Sequence, residues 1–410
     1  MTTAFNPSTH TITLKDNSTT HYHLRGLHEE NNDDIQRWTQ FCASVFAYKP
    51  SPPPPEYFAR HFYNDPRCDA SLIRVLIHCP DADNEAQRMA GAIVSSVRIF
   101  RRTLSTGNHS GGATIEAGGI GEVCTSPNHQ RRGLSKILLK NAIDIMSTSC
   151  DGAGTARGKD SGGMSCSLLH ANPEFRPVYN KVGGYESVPS KWSLVPIALD
   201  KLIINATGEA NQWLTRQAMF PQDVDILRAL HTEYSEKRLI TIMRSKEYWT
   251  NYVSAELGDS LWVLEDDASS IVAWLSIRKR GDRYQLREFG VDRNKPSVSN
   301  ITKFALKRLL SVALQQIGED LHADSGMKIS LLMPTFILHD MQQEEMIGAT
   351  NEVGSNLGSV NSLFDIENVI EENDDGWMYM VFNKSEPSVL ELTMRAKDPV
   401  PHLIWPTDSF

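Results

Sequence analysis

Apolar residues recur along this chain in two rhythms, every three to four positions in some stretches and every second position in others. The alternation of the two rhythms predicts the elements. Over residues 31–46, Ile35, Trp38, Phe41 and Phe46 fall on one helical face behind an Asn/Asp-rich start suited to an N-cap. Pro50-Ser-Pro-Pro-Pro-Pro55 then interrupts regular structure, and residues 57–63 predict a second short helix. Residues 21–27 read as a strand. So do 70–79 and 89–101, as a hairpin across a polar turn at 81–88. Residues 1–20 hold one short alternating strand around Ile12 and Leu14, or none.

A further strand is expected over 115–124. It is followed by a helix over 134–146 that puts Ile137, Leu138, Ala142, Ile143 and Met146 on one buried face. Residues 147–163 are Gly-, Ser- and Asp-rich and read as a surface loop. A short strand over 164–170, a helix over 172–181 ended by Gly183-Gly184, and a strand region over 185–195 complete the first half.

Beyond residue 200 the coarse order repeats. Helices are expected over 221–236 and 245–257 and strands over 262–265, 271–278 and 284–291. A helix over 301–317 carries Leu306, Leu309, Leu310, Ala313 and Ile317 on one face. Strands over 328–333 and 377–381 follow, and the polar stretches 351–361 and 371–375 read as loops. The fold class is α/β with mixed sheets, as one domain over residues 1–198 and a second, related but degenerate one over 199–410.

Composition narrows the function classes. At 410 residues the chain exceeds one ordinary core, which agrees with two domains. A formal charge of −9 argues against a general nucleic-acid binder, which needs excess Lys and Arg to neutralise phosphates. Cysteines 42, 68, 79, 124, 150 and 166 lack CxxC spacing. They read as reduced thiols of a cytoplasmic protein, with neither a disulfide frame nor a metal site. No run approaches eighteen apolar residues and the N-terminus is polar, so neither a membrane span nor a secretory signal is expected.

The chemistry concentrates at residues 121–140. An extended segment ends at Val123-Cys124-Thr125, turns at Ser126-Pro127-Asn128, passes through Gln130-Arg131-Arg132-Gly133-Leu134-Ser135 and enters the 134–146 helix. Backbone N–H groups converge at such a strand–loop–helix junction, and the helix dipole favours an anion there. Gly133 lets the chain approach the anion closely, and Arg131 and Arg132 add positive charge. At the matching place in the second half stands Asp292-Arg-Asn-Lys-Pro-Ser297, without that basic glycine loop.

Gln130–Ser135 resembles Gln/Arg-x-x-Gly-x-Gly/Ala, the coenzyme A pyrophosphate loop of the GNAT superfamily of N-acetyltransferases, with Ser135 in place of the last small residue. Asn172 and Tyr179 stand seven apart, as in that superfamily's Asn-x6-Tyr stretch, and Tyr179-Asn-Lys-Val-Gly183 resembles its Tyr-x-x-x-Gly. The doubled Gly183-Gly184 before Tyr185 departs from the usual Gly-Phe. The resemblance covers roughly residues 21–195.

It implies acetyl-CoA as co-substrate, no metal, and direct attack by an amine on the thioester. Backbone amides of residues 131–135 would hold the pyrophosphate, and Val123 and Thr125 the pantetheine arm. Tyr179 would protonate the leaving thiolate. Cys124 then need not be a nucleophile. The base is left open. Glu122 is either the base or an ion-paired strand residue, His129 caps the turn or touches phosphate, and His170 reads as structural. In some two-half members of the superfamily the C-terminal carboxylate is the base, which would make Phe410 a third candidate.

Over its whole length the chain resembles the fungal lysine N-acetyltransferase-like group, through Gly183-Gly-Tyr-Glu-Ser-Val-Pro-Ser190, His231-Thr-Glu-Tyr-Ser235 and His402-Leu-Ile-Trp-Pro-Thr-Asp408. That implies a small-molecule amine acceptor, free lysine first, with no nucleic-acid or membrane partner and an open oligomeric state. The alternatives are the same chemistry on a protein lysine, a polyamine or a hydroxylamine precursor, or a catalytically silent GNAT-fold scaffold.

Overall fold

Residues 72–79 show why the first sheet is covered on both faces. Side chains alternate along a strand. Ile73, Val75, Ile77 and Cys79 therefore pack with Trp38, Phe58 and Phe62, while Leu72 and Leu76 pack with Leu138, Ala142 and Met146 on the other side. Each such side chain contributes about 1.5–3 kcal/mol on burial. The architecture is that of a computed structural model. It describes residues 6–382 apart from 16–17, 29–31, 50, 82, 108–113, 149–162, 189, 203–212, 295–299, 320–326, 352–363, 365–367 and 375, and it also describes Trp405.

The first elements are β1 (Ser8–Thr13), β2 (Thr19–Gly26), α1 (Asn32–Val45), α2 (Pro55–Tyr63), β3 (Ile73–Cys79), α3 (Glu85–Ala90) and β4 (Ile93–Thr106). Then come β5 (Thr114–Thr125), α4 (Leu134–Thr148), β6 (Cys166–His170), α5 (Arg176–Gly183) and β7 (Glu186–Ser187). The chain continues with β8 (Ser190–Ala198), β9 (Leu214–Gln217), α6 (Val224–Tyr234) and β10 (Leu239–Ile242). A π-helical segment, Tyr248–Val253, leads into α7 (Ser254–Leu257). β11 (Leu261–Glu265), β12 (Ile271–Arg280), β13 (Arg283–Val291), α8 (Ile301–Gln316), β14 (Lys328–Pro334), α9 (Thr335–Asn351), β15 (Ile370–Asp374) and β16 (Trp377–Val381) complete it.

Two sheets result. The first runs β1-β2-β3-β4-β5-β6-β16-β7, with β10 added alongside β4, and the second runs β15-β8-β14-β13-β12-β11-β9. The central pair of each is parallel, β5 with β6 and β13 with β14, as a helical crossover requires. α4 makes the crossover in the first sheet and α8 in the second. The architecture is thus mixed α/β, with two sheets of like plan.

The halves exchange strands. β8 follows β7 directly in the chain yet pairs with β14 and β15 of the second sheet. β16 follows β15 and pairs with β6 and β7 of the first. The 185–195 run expected as one strand region is therefore split between two sheets, and each sheet takes strands from both sides of residue 198. The expected turn at 81–88 contains α3, because the Asn84 side chain accepts from the Gln87 N–H and starts a helix. Residues 371–374, part of the stretch 371–375 expected as a loop, form most of β15, an edge strand whose polar residues suit an exposed edge. The stretches 403–404 and 406–410 and most of the 147–163 and 351–361 loops lie outside the described residues.

Candidate active site

β5 carries the site because it leaves its neighbour part-way along. The parallel pairing with β6 runs from Ala117–Cys166 to Ile120–Leu169 and stops. β5 continues to Thr125, still paired with β4. Residues 121–125 thus have β4 on one side and an open edge on the β6 side among the described residues. An open edge offers alternating N–H and C=O groups to an extended ligand. Val123 packs toward the core that also holds Tyr179. Cys124 turns to the opposite core, its Sγ 4.0 Å from that of Cys42. Burial pushes the Cys42 thiol well up, so this pair is an apolar contact. The five described cysteines are all free thiols.

Glu122 sits in a β-bulge. Ser96 pairs with Cys124 and Arg98 with Gly121, so two residues of β5 oppose one of β4. Glu122 takes φ 53°, a left-handed conformation that costs a non-glycine residue roughly 1–2 kcal/mol. Its side chain is 8% exposed, and Oε1 lies 3.6 Å from Arg98 Nη1. That is an ion-pair distance and too long for a hydrogen bond. Glu122 Oε2 and Arg98 Nη1 both lack a hydrogen-bond partner. Burial outweighs the attraction of Arg98 and His61, and the carboxyl pKa is raised. Strained and desolvated groups of this kind cluster at functional sites.

The loop after β5 turns tightly into α4. Pro127–His129 makes one 3-10 turn. Arg131 and Gly133 take φ 61° and 77°, and a Cβ added to Gly133 would meet nothing within 4 Å. The concave face is open, which fits a bound phosphate. The Ile137 N–H bonds the Gly133 carbonyl, so the amides of the first turn before it have no acceptor inside α4. Leu134 is buried beneath the turn, and Ser135 is half-buried at its start. The Gln130 amide reaches back to the Thr125 carbonyl at 3.3 Å.

Arg132 differs from expectation in where its charge goes. It donates to the Tyr22 hydroxyl at 2.6 Å and to the Asn128 carbonyl at 2.8 Å, bracing the loop. Tyr22 also bonds His129 Nδ1 at 3.0 Å. Burial first, then His78 and Arg132, push the His129 pKa down, which suits its turn role. Arg131 stays exposed on the loop.

Tyr179 lies on α5, half-buried, with its ring edge-on to Tyr185 at 6.3 Å. Its hydroxyl has no hydrogen-bond partner among the described residues, and burial pushes its pKa up to about 12. The phenol is protonated at any working pH. The Asn172 side chain caps the 3-10 turn Pro173–Phe175 by accepting from the Glu174 N–H at 3.2 Å, which fixes the approach to α5. His170 ends β6 with its ring edge-on to Trp377 of β16 at 5.1 Å. Phe410 lies outside the described residues. The tail is anchored at Trp405, which is fully buried and donates its Nε1–H to Ser235 Oγ at 3.1 Å.

A further group went unnoticed in the sequence. His61 Nε2 meets Glu256 Oε1 at 2.9 Å across the seam between the halves. The Tyr57 ring lies 4.1 Å from that of His61 and the Tyr252 ring 5.6 Å. The Arg98 Nη2 bonds the His61 carbonyl at 3.2 Å, linking this group to Glu122. Tyr57 and His61 are one helical turn apart on α2, a weak signal in sequence. Glu256 is 195 residues away from His61 and gave none. Among the described residues, no three His, Cys, Asp or Glu side chains gather in a way that could hold a metal ion. Among them too, no helix is long and apolar enough to cross a membrane.

Residues 27–152 match the family model of the acetyltransferase (GNAT) domain. No curated protein is similar enough in sequence to match the chain. Among solved structures the chain is similar to a probable N-acyltransferase of Enterococcus faecalis, with a TM-score of 0.56, 11% identity and coverage of 88% of this chain and 73% of that one. It is similar also to a GCN5-related N-acetyltransferase from Anabaena variabilis, at TM-score 0.52 and 11% identity over 88% and 73% of the two chains. A third is the N-myristoyltransferase of Saccharomyces cerevisiae with bound myristoyl-CoA, at TM-score 0.50 and 12% identity over 89% and 84%. These likenesses are of fold. With the domain match they describe a GNAT acetyltransferase domain over residues 27–152 followed by a further α/β region.

Proposed function

We propose that this cytoplasmic enzyme transfers an acetyl group from acetyl-CoA to a small amine, with the side-chain amine of free lysine as the first acceptor. The observation that carries the reading is the open edge of β5 at residues 121–125, running straight into the cradle at residues 131–135. A ligand with an extended polar arm and a pyrophosphate fits that sequence of features. In this reading Gln130, Arg131, Gly133, Leu134 and Ser135 offer the pyrophosphate their backbone, Arg132 braces the loop, and Asn172 sets the approach to α5. Val123, Cys124 and Thr125 line the arm.

Glu122 removes the proton from the attacking amine. Its raised pKa makes it a stronger base than an ordinary surface carboxylate. Tyr179 gives a proton to the departing thiolate, and its unpartnered hydroxyl supports that role. Direct attack needs no covalent bond to the protein, which suits the buried position of Cys124. Lysine rests on the resemblance of the 183–190, 231–235 and 402–408 stretches to the fungal lysine N-acetyltransferase-like group.

The test is thiol release from acetyl-CoA with a panel of free amino acids, lysine-bearing peptides, polyamines and hydroxylamines. Release with free lysine supports the proposal. Release only with another member reassigns the acceptor. Tight acetyl-CoA binding with no release from any amine overturns the catalytic reading in favour of a silent module.

A further inference from the structure

The seam that holds His61 and Glu256 also carries four arginines, two against the Glu256 carboxylate and two on the Gln285 amide. Arg60 Nη2 lies 3.0 Å from Glu256 Oε1 and Arg287 Nη2 lies 3.7 Å from Oε2. Arg278 donates Nε–H and Nη2–H to Gln285 Oε1 at 2.9 and 2.7 Å, and Arg280 reaches the same oxygen at 3.3 Å. Among the described residues no carboxylate forms an ion pair with Arg278 or Arg280. A neutral amide oxygen satisfies hydrogen bonds but cannot offset charge.

The excess is felt locally. Burial first, and then Arg280 and Arg287, push the Arg278 pKa down to about 10. Burial also lowers that of Arg287, whose Nε–H is buried without a partner. Arg287 owes its place to a bulge. Ile277 pairs with Leu286 and Ser276 with Glu288, which leaves Arg287 as the extra residue of β13. The matching bulge of the first half, in β5, holds Glu122.

Tyr57 ties this seam to the reaction site. Burial raises its pKa to about 12, and Glu256 and Glu122 both act in the same direction, while Arg60 and Arg278 oppose them. The Arg60 guanidinium lies 5.8 Å from the centre of the Tyr57 ring. Tyr57 also packs against the His61 ring at 4.1 Å, and the His61 carbonyl takes the Arg98 group that stands 3.6 Å from Glu122. An acceptor with its amine at Glu122 would extend past Tyr57 toward a site where one carboxylate, Glu256, is shared by Arg60, Arg287 and His61, and where Arg278 and Arg280 meet only the neutral Gln285 amide.

We propose that Arg278, Arg280 and Arg287, with Arg60, form a subsite for a carboxylate carried by the amine acceptor. The acceptor class is then an amino acid, in preference to a diamine or a polyamine. This rests on the acetyltransferase reading given above.

The test compares L-lysine with cadaverine, which has the same amine and chain but no carboxylate, in the wild type and in Arg278→Gln. Charge-assisted hydrogen bonds of this kind correspond to roughly 10- to 100-fold in binding. The wild type should prefer lysine in kcat/KM by at least about tenfold, and Arg278→Gln should bring the ratio toward one through the KM for lysine. The ratio is independent of the fraction of enzyme that folds. Equal use of the two amines by the wild type would overturn the subsite. So would an unchanged ratio in the variant, or a rise in the KM for acetyl-CoA alone, which would assign the arginines to the cofactor.

If neither amine is acetylated, the acceptor reading fails by itself. Calorimetric titration with glutarate, which has carboxylates and no amine, then judges the subsite. Binding to the wild type that disappears in Arg278→Gln supports it, and no binding to the wild type overturns it.

Discussion

Glu122→Gln separates a catalytic base from a strained structural residue. The structure concentrates cost at this position. A left-handed backbone at a non-glycine residue costs about 1–2 kcal/mol, and a buried polar atom without a partner adds about 1–3 kcal/mol. Both features are present at Glu122. Glutamine keeps the size and the backbone conformation but removes the buried charge, so stability at neutral pH should rise, by on the order of 1 kcal/mol.

The pH dependence follows from linkage. Burial raises the Glu122 pKa above its ordinary 4.5 in the folded chain, so the folded state binds this proton more tightly than the unfolded chain does. The group's contribution to stability is complete below pH 4.5 and is lost as pH rises through the folded pKa. In Glu122→Gln that loss is absent from denaturant midpoints across the window. Removing a general base lowers turnover by about 10²–10⁴-fold, and the rise of kcat/KM with pH that follows Glu122 deprotonation should vanish. Acetyl-CoA affinity should hold. A variant within threefold of wild-type turnover, with that rise intact, would refute the base assignment. A loss of stability would instead make Glu122 a structural partner of Arg98.

Three further substitutions probe other parts of the site and fold. Tyr179→Phe should lower kcat by about 10²–10⁴-fold with acetyl-CoA affinity by titration unchanged; equal loss in both would contradict the acid role. With the phenol near 12, the wild type should show no alkaline loss of activity from this group below about pH 11. Gly133→Ala should cost about 1–2 kcal/mol of stability from its φ of 77°, because no neighbour lies within 4 Å. It should also weaken acetyl-CoA binding severalfold, and unchanged affinity would sink the cradle. Gly290→Ala places a Cβ 1.8 Å from Trp274 Cη2 and should cost about 1–3 kcal/mol by overpacking. Tryptophan-monitored denaturation checks this, and a midpoint equal to that of the wild type would mean the second core yields freely.

What the sequence made legible was whatever is written in local period or local spacing. The one-faced helices at α1, α4 and α8 and the apolar strands β3, β11, β12 and β13 stand close to where alternation puts them. The loop from Gln130 to Ser135 was readable because its chemistry is contiguous. β9 and β10 were missed because four residues carry no period. α9 was missed because its apolar and polar residues do not segregate to two faces. The 185–195 run could not reveal its division, since β7 and β8 are equally strand-like and only pairing partners far along the chain decide which sheet each joins. Glu122 was a candidate from position alone. Its positive φ, its unsatisfied oxygen and its coupling through Arg98 to His61 and Glu256 depend on four separate elements.

The two halves use one plan to opposite ends, and the difference is physical. In the first, the turn before α4 leaves its amides open around Gly133. In the second, the start of α8 is already filled by a carboxylate of the chain itself: Glu344 of α9 accepts from the Thr302 N–H at 3.0 Å and from its hydroxyl at 2.6 Å. Arg293 pairs with that carboxylate at 3.3 Å. An internal anion at a helix N-terminus satisfies the same dipole that a phosphate would. The strand exchange then ties the second half to the first. With β16 locked between β6 and β7 and β8 between β14 and β15, the halves cannot part without breaking all four of these pairings. Glu256 and Arg287 are held against α2 by the framework of both sheets and not by surface ion pairs alone, which would contribute little.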